Sequence, residues 1–285
     1  MTTVVREPAD FRQACDDARA SSHRVGLVPT MGALHLGHFS LIDEAKKRAD
    51  FIAATIFVNP LQFAPDEDLD RYPRTFESDL AGCRERGVDL VFAPEPESMY
   101  PARFQTQVSV GELTKPLEGE FRPAHFDGVT TVVAKLFNLT GSCAAMFGRK
   151  DYQQWKILSR LALDLDMPIE VVGCPIVREP DGLALSSRNR YLSASERERA
   201  LGIVSGLRRA YDAWTEGERN SDTLRSLAGE QVRSEFDSVD YVAAVDPETL
   251  VTAAEPPTRL LIAVAAHLGT TRLIDNVVLG EDPRP

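Results

Sequence analysis

The sequence predicts an α/β protein with a doubly wound parallel sheet, followed by a smaller α+β domain. In the first half, apolar runs such as "RVGLV" and "FIAATIFV" alternate with helical patterns such as "HFSLIDEAKKRA". Strands that are apolar on both faces indicate a parallel sheet covered by helices. Beyond about Gly173, two helical patterns precede three strand patterns. We therefore expect a Rossmann-like domain at 1–175 and a smaller C-terminal α+β lid domain, containing an antiparallel sheet, at 176–285.

Local patterns justify each element in chain order. Apolar runs predict strands in the first domain at "RVGLV", "FIAATIFV", "VDLVFAP", "CAAMFG" and "IEVVG". Apolar residues spaced three and four apart predict helices at "HFSLIDEAKKRA", "FESDLAGCRERG", "DGVTTVVAKLFNLT" and "DYQQWKILSRLALDLD". In the second domain, a cap signal at Ser193 or Ser195 begins one long helix, "SASERERALGIVSGLRRAYDAW", and "SDTLRSLAGEQVRSEF" is the next. The strands "VDYVAAV", "RLLIAVAAHL" and "RLIDNVVL" follow, and a Gly-Thr-Thr turn joins the last two.

Composition limits the possible functions. The formal net charge of -11 over 285 residues disfavours general binding to nucleic acid or to an anionic membrane. No segment reaches the roughly 18 apolar residues that a membrane span needs, and the N-terminus lacks a targeting pattern, so we expect a cytoplasmic protein. The 4 cysteines are widely spaced without a C-x-x-C pair, which favours packing over a disulfide framework or a zinc site.

The segment "PTMGALHLGH" lies where the first of these strands leads into a helix. Such strand ends bind ligands in open α/β sheets, and free N–H groups at the helix start favour anions. Gly32 and Gly37 leave room for the backbone to approach a ligand, and His35 and His38 supply donors beside it. The segment is neither a Walker loop nor a Gly-x-Gly-x-x-Gly pattern, and a zinc site of the H-E-x-x-H type does not fit its spacing.

A second cluster, "FGRKDYQQW", also lies at a strand end that enters a helix. Gly148 permits close approach, Lys150 offers a point charge for phosphate, and Asp151 is suited to a helix cap or a ribose hydroxyl. Gln153 or Gln154 is suited to recognising a polar substrate.

A third cluster, "REPDGLALSSRNRYLS", lies near the domain junction. Small donors and a fork-shaped cation are expected around a polyphosphate, and they are present as Ser186, Ser187 and Arg188. Taken singly, each cluster also has an ordinary explanation: capping histidines, a solvated helical turn, or a surface loop. All three at strand ends or at the domain junction favour a nucleotide site.

These motifs also carry a resemblance to known proteins. "PTMGALHLGH" resembles the His-x-Gly-His signature of nucleotidylyltransferases and class I aminoacyl-tRNA synthetases, and "LALSSRN" resembles their Lys-Met-Ser-Lys-Ser signature. With "IFVNPLQFAPDEDLDRYPRT", "RPAHFDGVTTVVAKLFN", "FGRKDYQQ" and "VREPDGLALSSRNRYLS", the chain resembles the pantoate–β-alanine ligase (pantothenate synthetase) family. The resemblance is dense over 25–195, and "HLGTTRLIDN" also fits.

The resemblance implies that pantoate and β-alanine are condensed at the expense of ATP, giving pantothenate, AMP and pyrophosphate. The family proceeds through an enzyme-bound pantoyl adenylate, with Mg²⁺ accompanying ATP, and is usually a homodimer. No covalent enzyme intermediate is required, and none of the candidate clusters pairs a Cys or Ser nucleophile with a recognisable base.

The resemblance also implies roles for particular residues. Catalytic roles are implied for His38, His35, Lys150 and Arg188. His38 is either the family's proposed proton donor or only a hydrogen-bond donor to phosphate. ATP contacts are implied at Pro29, Thr30, Met31, Gly32, His35, Gly37, His38, Gly148, Lys150, Asp151, Val177, Leu185, Ser186, Ser187 and Arg188. Substrate contacts are implied at Gln62, Gln154, Asn59, Arg122 and His125. No protein ligand is assigned to Mg²⁺.

The sequence departs from the family pattern at three positions. Arg149 replaces a common Glu, Leu36 replaces a frequent acidic residue, and Leu185 replaces a frequent Met. Arg149 adds a positive charge beside Lys150, which either tightens phosphate binding or points to solvent.

Other functions remain open at this point. They are a nucleotidyl transfer to a phosphorylated substrate, a non-catalytic nucleotide-binding protein and, least favoured in this acidic chain, a tRNA ligase. The small domain, which carries Ser186–Arg188, is expected to act as a lid that keeps water from the acyl adenylate.

Overall fold

The computed structural model describes residues 1–65, 67–254 and 257–285. The chain divides into two compact units: the first comprises 1–114, 122–149 and 154–175, and the second 115–121, 150–153 and 176–285. One border between the units lies between 175 and 176. Two short stretches that the sequence analysis placed in the first domain group with the second unit.

The first unit is built on a parallel sheet, which has six strands in the described part of the chain. These strands are β1 Thr3–Val5, β2 Val25–Thr30, β3 Phe51–Ile56, β4 Leu90–Phe92, β5 Cys143–Gly148 and β6 Ile169–Cys174. Their order is β1-β4-β3-β2-β5-β6. From β2 the chain moves outward through β3 and β4, then returns to β5 on the other side of β2. The carboxyl ends of β2 and β5 therefore form the topological switch point, where doubly wound folds bind their ligands.

Helices cover both faces of this sheet. The described helices of the whole chain are α1 Pro8–Ala20, α2 Leu36–Lys46, α3 Phe76–Glu85, α4 Pro96–Met99, α5 Glu118–Phe121, α6 His125–Thr140, α7 Tyr152–Asp164, α8 Ala194–Arg199, α9 Leu201–Thr215 and α10 Ser221–Glu235. Leu27 and Ala145 pack with residues of α1, α6 and α7. Val28 and Ala144, their neighbours along the strands, pack with residues of α2 and α3. This alternation buries both faces of the strands, as their apolar sequences predict.

The second unit contains an antiparallel sheet of β7 Ser238–Val245, β8 Leu260–Leu268 and β9 Thr271–Leu279, in the order β7-β8-β9. Gly269, with φ 53°, begins the two-residue turn between β8 and β9. The long predicted helix is divided at Ala200 into α8 and α9. A capping box with Glu196 makes Ser193 the cap of α8.

The predicted fold class is confirmed, with a doubly wound parallel sheet and a separate antiparallel sheet. The sequence analysis did not predict β1 and α1. In the described part of the chain, no helix is both long and apolar enough to cross a membrane.

The four cysteines all lie within the described residues, and each is buried and unbridged. Burial raises the pKa of the Cys15 and Cys143 thiols to about 12 and that of the Cys83 and Cys174 thiols to about 11. Because the thiolate is the reactive form, these side chains serve packing, as the sequence predicts.

Candidate active site

The His-x-Gly-His loop leaves the carboxyl end of β2 in a tightly constrained path. The Thr30 hydroxyl donates to the Thr55 carbonyl (2.6 Å) and accepts from the Gly32 N–H (3.1 Å). Gly32 has φ 87° and Ala33 has φ 50°, so two consecutive residues adopt the left-handed region. Glycine adopts this region at no steric cost, but alanine requires external support to stay there.

Asp79 of α3 provides that support. Its carboxylate is 3% exposed and accepts the backbone N–H groups of Ala33 (2.9 Å) and Leu34 (2.8 Å). The Thr75 hydroxyl donates to the same carboxylate (3.1 Å). The sequence analysis missed Asp79. The available signal was its place in α3 beside Leu80 and Cys83, which makes it an acidic residue on the buried face of a helix.

The two histidines cap α2. His35 is the N-cap residue, and its Nδ1 accepts the Gly37 N–H (3.1 Å). The His35 backbone N–H in turn donates to Nδ1 of His38 (3.4 Å), and the ring centroids are 4.1 Å apart. A ring nitrogen that accepts a hydrogen bond carries no proton, so each neutral imidazole is protonated at Nε2. The capping arrangement therefore sets both rings to donate from Nε2.

A short 3₁₀ turn, Pro60–Gln62, follows β3, and Asn59 is its N-cap residue. Asn59, 1% exposed, accepts from the Tyr100 hydroxyl (2.7 Å) and the Leu61 N–H (3.3 Å) through Oδ1. Its Nδ2 donates to the carbonyl of Gly128 (3.1 Å) and to Oε1 of Gln62 (3.1 Å). The amide of Asn59 is therefore engaged at both ends by the protein.

This arrangement orients Gln62. With Oε1 accepting from Asn59, the Gln62 amide presents its Nε2 donor toward Met31, whose Sδ lies 3.1 Å away. The turn also lies against α6, because a Cβ at Gly128 would be 2.2 Å from the Leu61 carbonyl oxygen. Only glycine permits this approach of helix and turn.

Arg122 and His125 support the same turn from its other end. His125 Nδ1 lies 2.9 Å from the Gln62 carbonyl oxygen. Arg122 forms a two-point ion pair with Glu67 (2.5 and 2.7 Å). Burial favours the neutral form of Glu67, but the hydrogen bonds and charge of Arg122 prevail and lower the pKa of this carboxyl.

The remaining candidates of the first unit lie at strand ends and at the start of a helix. Pro29 pairs with Thr55 between β2 and β3. Gly148 ends β5, and a Cβ there would meet open space. Gln154 is half-buried in the first turn of α7. The guanidinium of Arg149 lies 5.5 Å from the centroid of the Trp155 ring, which gives the extra charge an aromatic partner.

In the second unit, Lys150 and Asp151 belong to a 3₁₀ turn that directly follows β5. The Lys150 ammonium lies 3.8 Å from the carboxylate of the half-exposed Asp151. The Lys150 carbonyl accepts from Nδ2 of Asn276 (2.9 Å). Asn276, on β9, was quoted in the sequence analysis only as part of a family segment.

Residues 177–185 form a hairpin-like turn. The Leu185 N–H donates to the Val177 carbonyl (3.0 Å), and Arg178 pairs with Ala184 in an antiparallel bridge. The next segment, a 3₁₀ turn at Ser187–Tyr191, contains the predicted phosphate-binding residues. Its cap is Ser186, whose hydroxyl accepts the Arg188 N–H (3.3 Å).

Within the first unit, hydrogen bonds connect five of the predicted residues. The first unit brings Met31 to Gln62 and Gln62 to Asn59, Arg122 and His125, across up to 63 positions of sequence. Within the described residues, no group of three or more His, Cys, Asp or Glu side chains is arranged to hold a metal ion.

Comparisons with known proteins identify the family of this chain. The family model described as pantoate-beta-alanine ligase matches residues 3–278. Pantothenate synthetase 1 of Bradyrhizobium diazoefficiens is 50% identical over 98% of this chain and 99% of its own length. Pantothenate synthetase of Geotalea uraniireducens is 51% identical, with the same two shares covered.

Solved structures agree as well. Pantothenate synthetase from Thermus thermophilus has a TM-score of 0.91 at 44% identity and covers 97% of this chain and 99% of its own. A Francisella tularensis pantoate-beta-alanine ligase, complexed with beta-gamma ATP and beta-alanine, has a TM-score of 0.80 at 30% identity, with 100% of both chains covered. This chain therefore belongs to the pantoate–β-alanine ligase family, as its sequence motifs predicted.

Proposed function

We propose that this ligase joins pantoate to β-alanine in two steps. In the first, a pantoate carboxylate oxygen attacks the α-phosphorus of ATP, and pyrophosphate leaves with the electron pair of the broken P–O bond. In the second, the neutral amine of β-alanine attacks the acyl carbon of pantoyl adenylate. AMP leaves, and the amine loses one proton as the amide of pantothenate forms.

The capping geometry of His35 and His38 is the observation that carries this proposal. Both rings use Nδ1 as an acceptor within the loop, so a neutral ring carries its proton on Nε2, and we assign that N–H to a phosphate oxygen of bound ATP. Charge builds on those oxygens as the α-phosphorus is attacked, and fixed donors stabilise it without reorganisation. His38 is the candidate proton donor to departing pyrophosphate, and the family resemblance supports this role.

The second unit supplies the cationic part of the proposed nucleotide site. Lys150 and Arg188 are assigned to the triphosphate, and the small donors Ser186 and Ser187 accompany them. The half-exposed Asp151 suits a ribose hydroxyl, and Val177 suits the adenine. Mg²⁺ enters bound to the ATP phosphates, and we assign it no protein ligand.

The turn after β3 is the proposed pantoate site. Gln62 supplies an N–H donor to a carboxylate or hydroxyl oxygen, because its own oxygen accepts from Asn59. Gln154 is the second proposed amide. Asn59 orients the Gln62 side chain, and Arg122 and His125 contact the Gln62 carbonyl oxygen, so we propose that the three residues position Gln62.

We also propose that the enzyme is a cytoplasmic homodimer, as the family resemblance implies, acting on small molecules rather than on nucleic acid or membranes. Light scattering of the purified protein gives the mass in solution. A mass near 31.4 kDa, that of one chain, would contradict the dimer.

The test of the reaction is AMP release by the purified protein with ATP, Mg²⁺ and pantoate, with and without β-alanine. We expect one AMP for each pantothenate when both substrates are present. ADP as the product, or pantothenate formed without AMP, would contradict the adenylate route. Pyrophosphate exchange into ATP, dependent on pantoate alone, would isolate the first step.

A further inference from the structure

The segment "RLIDN" of β9 contains a buried polar cluster whose role the reaction chemistry leaves unexplained. We infer that Arg178, Asp275 and Asn276 are positioning residues that fix both nucleotide-binding segments of the second unit, Lys150 and Ser186–Arg188. The inference rests on the proposed assignment of those segments to ATP. We name the three side chains the β9 clamp.

The clamp is centred on a buried ion pair. Asp275 is 3% exposed, and Arg178 donates to both of its carboxylate oxygens from Nη1 (2.6 Å) and Nη2 (3.0 Å). Such a two-point pair fixes the planes of both groups. Because the cost of removing both charges from water offsets most of their attraction, a buried pair of this kind is better explained by positioning than by stability.

Asn276 connects the clamp to Lys150. Its backbone N–H donates to Oδ1 of Asp275 (2.8 Å), and its side-chain Nδ2 donates to the Lys150 carbonyl oxygen (2.9 Å). Asn276 is 3% exposed, so this bond is shielded from competing water. It holds the backbone from which the Lys150 ammonium extends.

Arg178 connects the same clamp to the second segment. Its Nη1 also donates to the Gly182 carbonyl (3.1 Å), which closes the turn of the hairpin 177–185. Across that hairpin Arg178 pairs with Ala184, and the Ala184 carbonyl accepts from Asn189 (3.1 Å) within the Ser187–Tyr191 turn. The Arg178–Asp275 pair is therefore connected by hydrogen bonds to the backbone of Lys150 and, through the hairpin, to the Ser187–Tyr191 turn.

Replacing Asn276→Asp tests the inference most directly. The change keeps the size of the side chain but puts a carboxylate oxygen where the Lys150 carbonyl needs a donor. We expect the KM for ATP to rise about tenfold or more, and the KM values for pantoate and β-alanine to stay within about twofold, because only the nucleotide segment loses its anchor.

Val232→Ala is the matched control. Val232 is fully buried in α10 and is not a clamp residue, and truncating its apolar side chain destabilises the second unit through a cavity without removing a side-chain hydrogen bond. We expect a lower melting temperature with an unchanged KM for ATP. Equal effects of the two variants on all three substrates would overturn the inference, because they would reduce the role of Asn276 to stability.

A second variant keeps the test decisive if Asn276→Asp does not fold. Asn276→Ala removes the donor without adding charge, and calorimetry then measures its affinity for the non-hydrolysable β,γ analogue of ATP. We expect affinity about tenfold weaker than that of the wild type. Wild-type affinity in a folded Asn276→Ala protein would overturn the inference.

Lys150→Ala separates this inference from the assignment beneath it. A wild-type KM for ATP in Lys150→Ala would overturn the proposed phosphate contact and, with it, the clamp. A raised KM in Lys150→Ala beside a wild-type KM in Asn276→Asp would overturn the clamp alone.

Discussion

Two buried aspartates, one in each unit, lie beneath the proposed nucleotide-binding segments, and they anchor those segments differently. Asp79 and Asp275 are both 3% exposed. Asp79 accepts backbone N–H groups from the loop itself, at Ala33 and Leu34. Asp275 instead pairs with the guanidinium of Arg178, which contacts the neighbouring backbone in turn.

The difference shows two ways to fix a loop. An anchor on peptide groups holds the loop whatever side chains it carries, since every non-proline residue supplies an N–H. An anchor through an ion pair depends on two side chains, and a second substitution can compensate for the loss of the first. The loop held by Asp79 includes Ala33 in the left-handed region, and the hydrogen bond from the Ala33 N–H to Asp79 stabilises that backbone conformation directly.

Breaking the ion pair from one side is expected to have the largest effect on stability. Arg178→Met leaves the buried Asp275 without its cation, which costs about 3–5 kcal/mol in the free energy of unfolding. The double variant Arg178→Met, Asp275→Leu removes both charges, so we expect it to recover most of that loss. Urea denaturation of the single and double variants measures this. A double variant as unstable as the single one would show that the pair itself contributes to stability.

Asp79→Ala is expected to be nearly as destabilising, and no second substitution is expected to restore the lost stability. It removes the carboxylate that accepts from two buried N–H groups, at about 1–3 kcal/mol for each hydrogen bond lost. No change of side chain removes a backbone N–H, except proline, whose φ does not fit the φ of 50° at Ala33. Denaturation and kcat/KM measured together should fall together. A stable Asp79→Ala protein with wild-type activity would show that the loop holds its own shape.

His35 follows directly on the segment that Asp79 holds, so variants of His35 test whether that loop serves catalysis. His35→Ala removes a cap and a donor, whereas His35→Asn keeps a cap acceptor but lacks the ring Nε2 donor. We expect a stability loss of about 1 kcal/mol in the first and little loss in the second. Both should lose about a hundredfold or more in kcat. Full activity in His35→Asn would mean that capping is the whole role of His35.

Glu67 extends the comparison to a less buried carboxylate and should have the smallest effect. Its pKa is lowered, because Arg122 outweighs the effect of burial. A carboxyl whose folded-state pKa lies below its unfolded value contributes stability above the unfolded value, near 4.5, and loses it as the pH falls through the folded value. Glu67→Gln should therefore narrow the stability difference between pH 7 and pH 3. An unchanged difference would indicate that Arg122 fails to stabilise the ionised form.

The sequence predicted the fold because its signals are local. Apolar runs specified the strands, and the spacing of apolar residues specified most of the helices. The short β1 was missed, since "TVV" is too short to show a period. The helix after it was also missed, although Phe11, Cys15 and Ala18 mark its buried face at helical spacing.

The site was predicted in part for the same reason. Motif residues such as His35 and His38 lie within a few positions of each other. The anchors do not: Asp79 binds Ala33 from 46 positions away, and Arg178 binds Asp275 from 97. A pattern marks a buried acid on a helix face, but only the folded chain identifies its partner.

The four buried cysteines have a practical consequence for following this enzyme in solution. Because all four thiols are buried and their pKa values are raised to about 11 to 12, we expect the natural chain to react very slowly with maleimide dyes. In a variant with cysteines introduced at both of the exposed positions Arg12 and Ser195, these two thiols would then be the ones that accept label. A donor and acceptor dye at these two positions would report by energy transfer whether the lid expected from the sequence closes when ATP and pantoate are added, with the native thiols left in place.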